Sequence, residues 1–151
     1  MPTFIAILED DAPRIETMRH ILMELLPQYQ PIFFDHATKM IAWLTRHLQE
    51  VVLLSLDHDL PINRGSGEDH GCGRDIANHL TTVSPTCPII VHSSNASAAA
   101  GMVRVLGDAG WPVWQVTPFG DLEWVSTAWA DQLHQLIDRG WVFEMQEPDR
   151  G

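Results

Sequence analysis

Short apolar runs alternate with segments of helical periodicity along the chain, and this alternation restricts the fold more than any other feature. The runs are short enough to be buried strands. They are Phe4 to Leu8, Pro31 to Phe34, Val51 to Leu56, Pro88 to Val91 and Val113 to Val116. Strands that alternate with helices form parallel sheets with right-handed crossover connections. The sequence therefore predicts an α/β protein with a parallel sheet of roughly five strands.

Helical patterns fill the segments between these strands. The first carries apolar residues from Ile15 to Leu26 and stops at Pro27, and Asp35 is a candidate cap for the second. The others are predicted over Ile76 to Val83, over Ala96 to Leu106 with Asn95 or Ser97 as cap, and over about Leu122 to Ile137. The apolar tail from Trp141 to Met145 is a candidate C-terminal edge strand. The glycine-rich segment from Ile62 to Gly73 is too long for a tight connection, which indicates a functional or mobile loop.

Length and charge narrow the possible functions. A chain of 151 residues fits one domain with a real core. Nine Lys and Arg residues against 20 Asp and Glu residues give a formal net charge of −11. That charge opposes binding to duplex DNA or bulk RNA, because neutralising a phosphate backbone requires cations. It also repels a small phosphate, so phosphate chemistry here needs a cation placed locally, most simply a bound metal.

The sequence also indicates a compartment. Cys72 and Cys87 are too few for a disulfide framework and are expected to be free thiols. The segment from Met1 to Leu8 lacks the basic region of a signal peptide, and no apolar run approaches the ~20 residues that span a bilayer. We therefore expect a cytoplasmic protein that is not bound to a membrane. The sequence leaves the oligomeric state open.

Acidic residues follow two of the predicted strands. Glu9, Asp10 and Asp11 follow the first strand, and Asp57 and Asp59 follow the third. Parallel-sheet proteins bind ligands at the carboxyl ends of their strands. Crowded carboxylates there cannot all stay ionised without a cation, and oxygen ligands suit Mg²⁺, Mn²⁺ or Ca²⁺. The alternative is that the first group only interacts with the dipole of the following helix.

Histidine and hydroxyl residues stand at the same ends. His58 and His92 could join a mixed nitrogen and oxygen metal site, or could act as acid and base in phosphodiester cleavage. Alternation along a strand turns Asp57 and His58 to opposite faces, which favours Asp57 as the direct ligand. Ser93 and Asn95 could cap the following helix, bind a phosphate at its N-terminus, or do both.

Tryptophans are common in the chain, and most are expected to pack in or near the core. Trp124 and Trp129 lie just past the fifth strand, where they could also stack on a base.

Four landmarks make the chain resemble the response-regulator receiver domain from Phe4 to about Ile137. Glu9 and Asp10 look like the receiver acidic pair, Asp57 like the phospho-acceptor, and Ser93 like the hydroxyl switch residue. The fifth strand of a receiver ends in Lys-Pro, but this chain has Thr117-Pro118. The lysine that pairs with the phosphoryl group is therefore missing. By similarity to the receiver Lys-Pro bond, we expect the Thr117-Pro118 peptide bond to be cis.

Three motifs are similar to those of a receiver-derived family, the cyclic-phosphate processing receiver-like domain. They are Leu-Asp-His-Asp-Leu at Leu56 to Leu60, Gly73-Arg74-Asp75, and His-Ser-Ser-Asn at His92 to Asn95. The resemblance implies a doubly wound sheet in the order 2-1-3-4-5. It also implies a metal-dependent phosphoesterase that acts on a cyclic or activated phosphate, such as a cyclic nucleotide.

The residues expected to carry this activity fall into three groups. A metal, most simply Mg²⁺ or Mn²⁺, would be held by Glu9, Asp10 and Asp57. Catalysis would fall to His58, His92 and Asp59, and phosphate binding to Ser93, Asn95 and Thr117. The alternatives are a signalling receiver phosphorylated on Asp57 and a degenerate receiver that serves as a protein-binding module.

Overall fold

The structure, a computed structural model, describes residues 3–60 and 70–143 and contains a five-stranded sheet. The strands are β1 (Phe4–Leu8), β2 (Gln30–Phe34), β3 (Val51–Leu56), β4 (Ile89–His92) and β5 (Val113–Val116). They are all parallel and follow the order β2-β1-β3-β4-β5. The predicted doubly wound α/β fold is confirmed, and each predicted strand lies within one residue of its observed bounds.

Helices cover both faces of the sheet. They are α1 (Ala12–Leu25), α2 (Ala37–His47), α3 (Gly73–Leu80), α4 (Ala96–Asp108) and α5 (Ala130–Asp138), with a 3₁₀ turn at Leu48–Glu50. A π-helical turn, Val125–Trp129, leads into α5. None of the helices in the described residues has both the length and the apolar character needed to cross a bilayer.

Two apolar clusters show which helices cover which face. Ile7 of β1, Leu53 of β3 and Ile90 of β4 pack with residues of α1 and α5. Their strand neighbours, such as Leu8 and Leu54, pack with residues of α2, α3 and α4. Side chains two residues apart in a strand share a face. Positions at the strand ends that continue the first pattern therefore point toward α1 and α5.

Three local predictions were wrong. His36, not Asp35, is the N-cap residue of α2, and the Asp35 carboxylate lies 2.7 Å from Nδ1 of the His36 ring. No peptide bond in the described part of the chain is cis, so Thr117-Pro118 is trans. Trans remains the more stable form of an X-Pro bond by about 0.5–1 kcal/mol when packing does not impose cis.

The predicted C-terminal edge strand is also absent from Trp141 to Phe143, and Glu144 and Met145 lie outside the described residues. The backbone N–H of Trp141 donates to the Leu136 carbonyl at 2.9 Å, closing the end of α5. That N–H therefore cannot pair with a sheet edge. Most of the predicted loop from Ile62 to Gly73 lies outside the described residues as well, and Gly73 itself begins α3.

Candidate functional site

Glu9, Asp57 and His92 converge at the carboxyl edge of the sheet. One potential ligand atom from each lies within 4.8 Å of the others. Glu9 and His92 are fully buried, and Asp57 is 5% exposed. All three residues continue the strand positions that face α1 and α5, which is why they meet while their chain neighbours do not. The structure therefore forms a cluster of two carboxyl groups and one imidazole away from bulk water.

Burial controls the protonation of this cluster. It raises the pKa of Asp57 to about 7, where the nearby His92 opposes the rise and the Glu9 carboxyl adds to it. Burial also raises the pKa of Glu9, while Asp57 and Arg14 oppose that rise. The pKa of His92 is lowered to about 4 by burial, so its ring is neutral at pH 7. Two such carboxyl groups cannot both ionise without a compensating cation.

Two buried side chains, those of Ser55 and Trp129, orient the His92 ring. The Trp129 indole N–H donates to Ser55 Oγ at 3.1 Å, and Ser55 Oγ lies 2.7 Å from His92 Nδ1. An indole can only donate, so the buried Ser55 hydroxyl must use its own hydrogen on Nδ1 to be satisfied. A neutral His92 that accepts at Nδ1 carries its proton on Nε2. That nitrogen lies 3.6 Å from Glu9 Oε2.

Arg14 of α1 brings a cation to the cluster. Its Nη1 lies 3.3 Å from Glu9 Oε1, and its guanidinium carbon lies 5.4 Å from the centre of the Trp124 ring. Trp124 is fully buried and also stacks on His92, with ring centres 5.8 Å apart. The Trp124 ring therefore contacts both Arg14 and His92.

Two atoms of the cluster lack a hydrogen-bond partner within the described residues. They are Glu9 Oε2 and His92 Nε2, both fully buried. Unpaired buried polar atoms are unfavourable and suggest a bound group that satisfies them. Carboxylate oxygens from Glu9 and Asp57 suit a divalent cation, which would also allow both groups to ionise. The residues present therefore fit a metal.

The sequence matches one family model, described as "Cyclic-phosphate processing Receiver domain", over residues 5–108, which is more than half of the chain. The protein belongs to this family. No curated protein matches the chain. The match ends with the last residue of α4, so β5, the π-helical turn and α5 lie beyond the matched range.

Solved receiver domains share its fold. A receiver domain from Rhodospirillum rubrum aligns with a TM-score of 0.66 at 19% identity, over 96% of this chain and 100% of that one. The phosphorylated cyanobacterial phytochrome response regulator RcpA gives 0.65 at 16%, over 99% and 100%. The Mn²⁺-bound form of response regulator Rcp1 gives 0.63 at 15%, over 98% and 100%. These similarities show the fold alone.

Some of the predicted site residues lie beside the cluster. Asp10 is half-buried, and burial raises the pKa of its carboxyl group, but it is not part of the group formed by Glu9, Asp57 and His92. His58 is half-buried, and its Nδ1 lies 2.6 Å from the exposed Asp59 carboxylate. Of the two predicted histidines, His92 is the one placed in the cluster.

The predicted phosphate-binding residues lie at the ends of β4 and β5. Ser93 is buried, and its Oγ accepts from the Asn95 N–H at 3.2 Å. Asn95 is exposed and caps α4, with its side-chain oxygen accepting from the Ala98 N–H at 3.1 Å. Thr117 is exposed immediately after β5. Asn95 thus caps α4, Ser93 stabilises the turn before it, and the Ser93 O–H and Asn95 NH₂ groups can still donate to a phosphate.

The Gly73-Arg74-Asp75 motif packs the start of α3 against the backbone of Asp57 and His58. The Gly73 N–H donates to the His58 carbonyl at 2.9 Å, and a Cβ on Gly73 would lie 2.0 Å from the Asp57 carbonyl oxygen. Asp75 accepts from the Cys72 N–H at 2.9 Å in a capping box. Only glycine permits this close approach of α3 to the end of β3. The motif therefore positions the segment that carries Asp57.

Sequence reasoning missed two residues that support the cluster, Arg14 and Ser55, and the contacts that Trp124 and Trp129 make with it. Ser55 offered a signal, because it is a polar residue inside a buried strand and shares the strand face of Asp57. The two tryptophans are fully buried in the structure, so the expectation that they could stack on an incoming base was wrong. The π-helical turn brings these two residues, five apart in sequence, to the same side of the helix. A search for the 3.6-residue period of an α-helix does not reveal this arrangement.

Proposed function

We propose that this protein is a metal-dependent hydrolase of a cyclic or otherwise activated phosphoester, such as a cyclic nucleotide. The observation that supports this is the buried cluster of Glu9, Asp57 and His92, with unpaired atoms on Glu9 and His92. Buried polar groups usually have hydrogen-bond partners, so two unpaired atoms that face each other in one cluster favour a bound ligand there. The family name adds cyclic phosphate as the substrate class.

Glu9 and Asp57 would hold the metal. The carboxylate of Asp10, the residue after Glu9, would be a further ligand. The solved Rcp1 structure in the same fold contains Mn²⁺, which makes Mn²⁺ or Mg²⁺ the first choice. Such a cation, when bound, polarises a phosphoryl oxygen and lowers the pKa of a water molecule. Two carboxyl groups at this depth supply the hard oxygen ligands that either ion prefers.

The protein's own groups would position the substrate and move protons. The His92 Nε2–H is held in place by Ser55 and can donate to a phosphate or leaving-group oxygen. Ser93 and Asn95 can donate to phosphate oxygens at the N-terminus of α4. His58 and Asp59 form a second pair at the rim, available for proton transfer once substrate is bound.

A signalling receiver is the second candidate, because the protein shares the fold of RcpA, which was solved in a phosphorylated form, and the resemblance to receivers makes Asp57 the phospho-acceptor. Two features disfavour it. Thr117 is uncharged where a receiver has lysine. Asp57, with a pKa of about 7, is only partly ionised at neutral pH, which weakens it as a nucleophile in the absence of metal. A degenerate receiver that only binds a protein partner would require neither a lysine at position 117 nor an ionised Asp57.

The proposed function is tested by screening the purified protein with Mg²⁺, Mn²⁺, Zn²⁺ and Ca²⁺ against 2′,3′-cyclic and 3′,5′-cyclic nucleotides and a chromogenic phosphodiester. We expect turnover of at least one cyclic phosphate. The rate should fall at least about tenfold in His92→Ala, with His58→Ala measured beside it. His134→Ala, an exposed histidine on α5, is the control that should leave the rate unchanged. Stable labelling of Asp57 by acetyl phosphate with no turnover would favour the signalling role.

A further inference from the structure

The site has a cation that its fifth strand does not provide. Thr117 stands where the receiver lysine would be, and it is exposed and uncharged. Arg14 instead reaches the cluster from α1 and contacts Glu9. Any phosphate entering an acidic protein needs such a local positive charge. Arg14 places such a charge beside Glu9.

Its position follows from the start of α1. Asp11 caps the helix by accepting from the Arg14 N–H at 3.0 Å, which fixes the backbone in the first turn. Helical side chains lean toward the N-terminus of their helix, so the Arg14 side chain extends toward the carboxyl edge of the sheet. The Trp124 ring, 5.4 Å from its guanidinium carbon, supports it.

The contact with Glu9 does not use the full capacity of Arg14. A guanidinium group has five N–H donors. Among the described residues, the Arg14 side chain donates one hydrogen bond, from Nη1 to Glu9 Oε1 at 3.3 Å, and it remains 26% exposed. An arginine whose main role is to pair with a carboxylate often forms two parallel hydrogen bonds to it, and Arg14 forms only one with Glu9. Donors remain on the guanidinium that can face an anion entering beside Glu9.

We propose that Arg14 binds the phosphoryl group that enters at the Glu9, Asp57 and His92 cluster, and replaces the cation missing from the fifth strand. The class of ligand rests on the proposed function, but the binding of phosphate does not require turnover. Arginine suits this task because its planar fork can donate two parallel hydrogen bonds to phosphate oxygens. Trp124 acts as the platform that keeps the fork in place.

The test measures the affinity of inorganic phosphate by NMR chemical-shift titration at constant ionic strength. In Mg²⁺-saturated protein, Arg14→Gln should weaken phosphate binding about tenfold or more. Arg14→Lys should restore part of the loss, since it keeps the charge without the fork. Arg19→Gln is the matched control, because Arg19 lies on the same helix with its guanidinium 4.9 Å from the Phe33 ring, away from the cluster.

A second pair of variants separates binding from support of Glu9. In Glu9→Gln, the buried ion pair no longer exists, and burial already favours a neutral group at this position. Metal-free Glu9→Gln protein and the double variant Glu9→Gln/Arg14→Gln should still differ about tenfold in phosphate affinity. If Arg14 serves only Glu9, the two proteins will bind phosphate equally.

Three results would overturn the proposal: equal phosphate affinity within that pair, an equal loss in Arg19→Gln, or no phosphate binding by Mg²⁺-saturated wild type. Failure of the hydrolase function has a different signature. Phosphate binding that depends on Arg14, without turnover of any cyclic phosphate, would retain the role of Arg14 and exclude the enzyme.

Discussion

Asp57 has a carboxyl group whose protonation depends on the residues around it. Burial raises its pKa from 3.8 to about 7, with Glu9 adding to the rise. A group whose pKa is higher in the folded state contributes stability that is full below its unfolded pKa and is lost as pH rises through its folded pKa. For Asp57, that loss falls between about pH 4 and pH 7 in metal-free protein.

Comparison of wild type with Asp57→Asn isolates this effect, because asparagine stays neutral at every pH. From pH 5 to pH 8, the free energy of unfolding of metal-free wild type should fall relative to that of the variant by about 2 kcal/mol. His92, whose pKa is lowered to about 4, has the opposite dependence and should largely cancel in the difference. Urea unfolding followed by tryptophan fluorescence at the two pH values measures the change.

Asp131→Asn makes the same chemical change at an exposed position on α5, so its difference from wild type should stay constant. A constant difference between wild type and Asp57→Asn would show that Asp57 is ionised in the folded protein throughout this range. The buried Asp57 carboxylate, which accepts from the His58 N–H at 2.7 Å, would then have to be compensated by a further group beyond those seen in the cluster.

At the scale of elements, a π-helical turn and the close packing of one helix start arrange the residues around the site. The π-helical turn before α5 allows Trp124 to lie against His92 while Trp129 donates to Ser55. The first turn of α3 packs its backbone on the end of β3 through Gly73. π-helical turns are common near functional sites, because they bring side chains together that a regular α-helix would place on different sides.

Gly73→Ala tests the second of these contacts. The added Cβ would overlap the Asp57 carbonyl oxygen, so α3 or the end of β3 must move. We expect the free energy of unfolding to fall by about 2 kcal/mol or more, together with a loss of metal binding. Chemical denaturation measures the first quantity, and a calorimetric titration with Mn²⁺ measures the second.

Gly107→Ala in α4 is the matched control. The nearest atom to its added Cβ would be a Val113 methyl group at 3.9 Å, an ordinary contact. Alanine favours a helix over glycine by about 1 kcal/mol, so this variant should be as stable as wild type or more stable. Equal effects at Gly73 and Gly107 would contradict the tight approach of α3 to Asp57.

For the whole molecule, the net charge of −11 makes a divalent cation a stabilising ligand. A ligand at a hundred times its Kd stabilises the folded state by about 2.7 kcal/mol. For a protein of this size, that corresponds to a rise in Tm of about 5 to 10 °C. We expect Mn²⁺ or Mg²⁺ to produce a rise of this order in thermal unfolding.

The same measurement assigns the ligands. Glu9→Gln and Asp57→Asn should each remove most of the shift, and Asp10→Asn should reduce it if Asp10 completes the site. Asp108→Asn, at the exposed end of α4, should leave it unchanged. An unchanged shift in both Glu9→Gln and Asp57→Asn would place the metal outside the cluster.

Local patterns in the chain were sufficient to predict the five strands, the parallel sheet and the edge that carries the acidic residues. Each strand is defined by its own apolar run, and the acids directly follow β1 and β3. The strand order came from the resemblance to receivers. These features depend on residues that are close in sequence, so periodicity and strand ends reveal them.

Only the tertiary structure decided which strand-end residues meet. His92 joins Glu9 and Asp57, while Asp10 and His58 lie beside the cluster, because the strand faces and the covering helices select alternate positions. Contacts such as Trp129 with Ser55, 74 residues apart, depend on how distant segments pack. The cation likewise comes from α1, since a guanidinium can reach the site from any element that packs nearby, and no local pattern specifies which one.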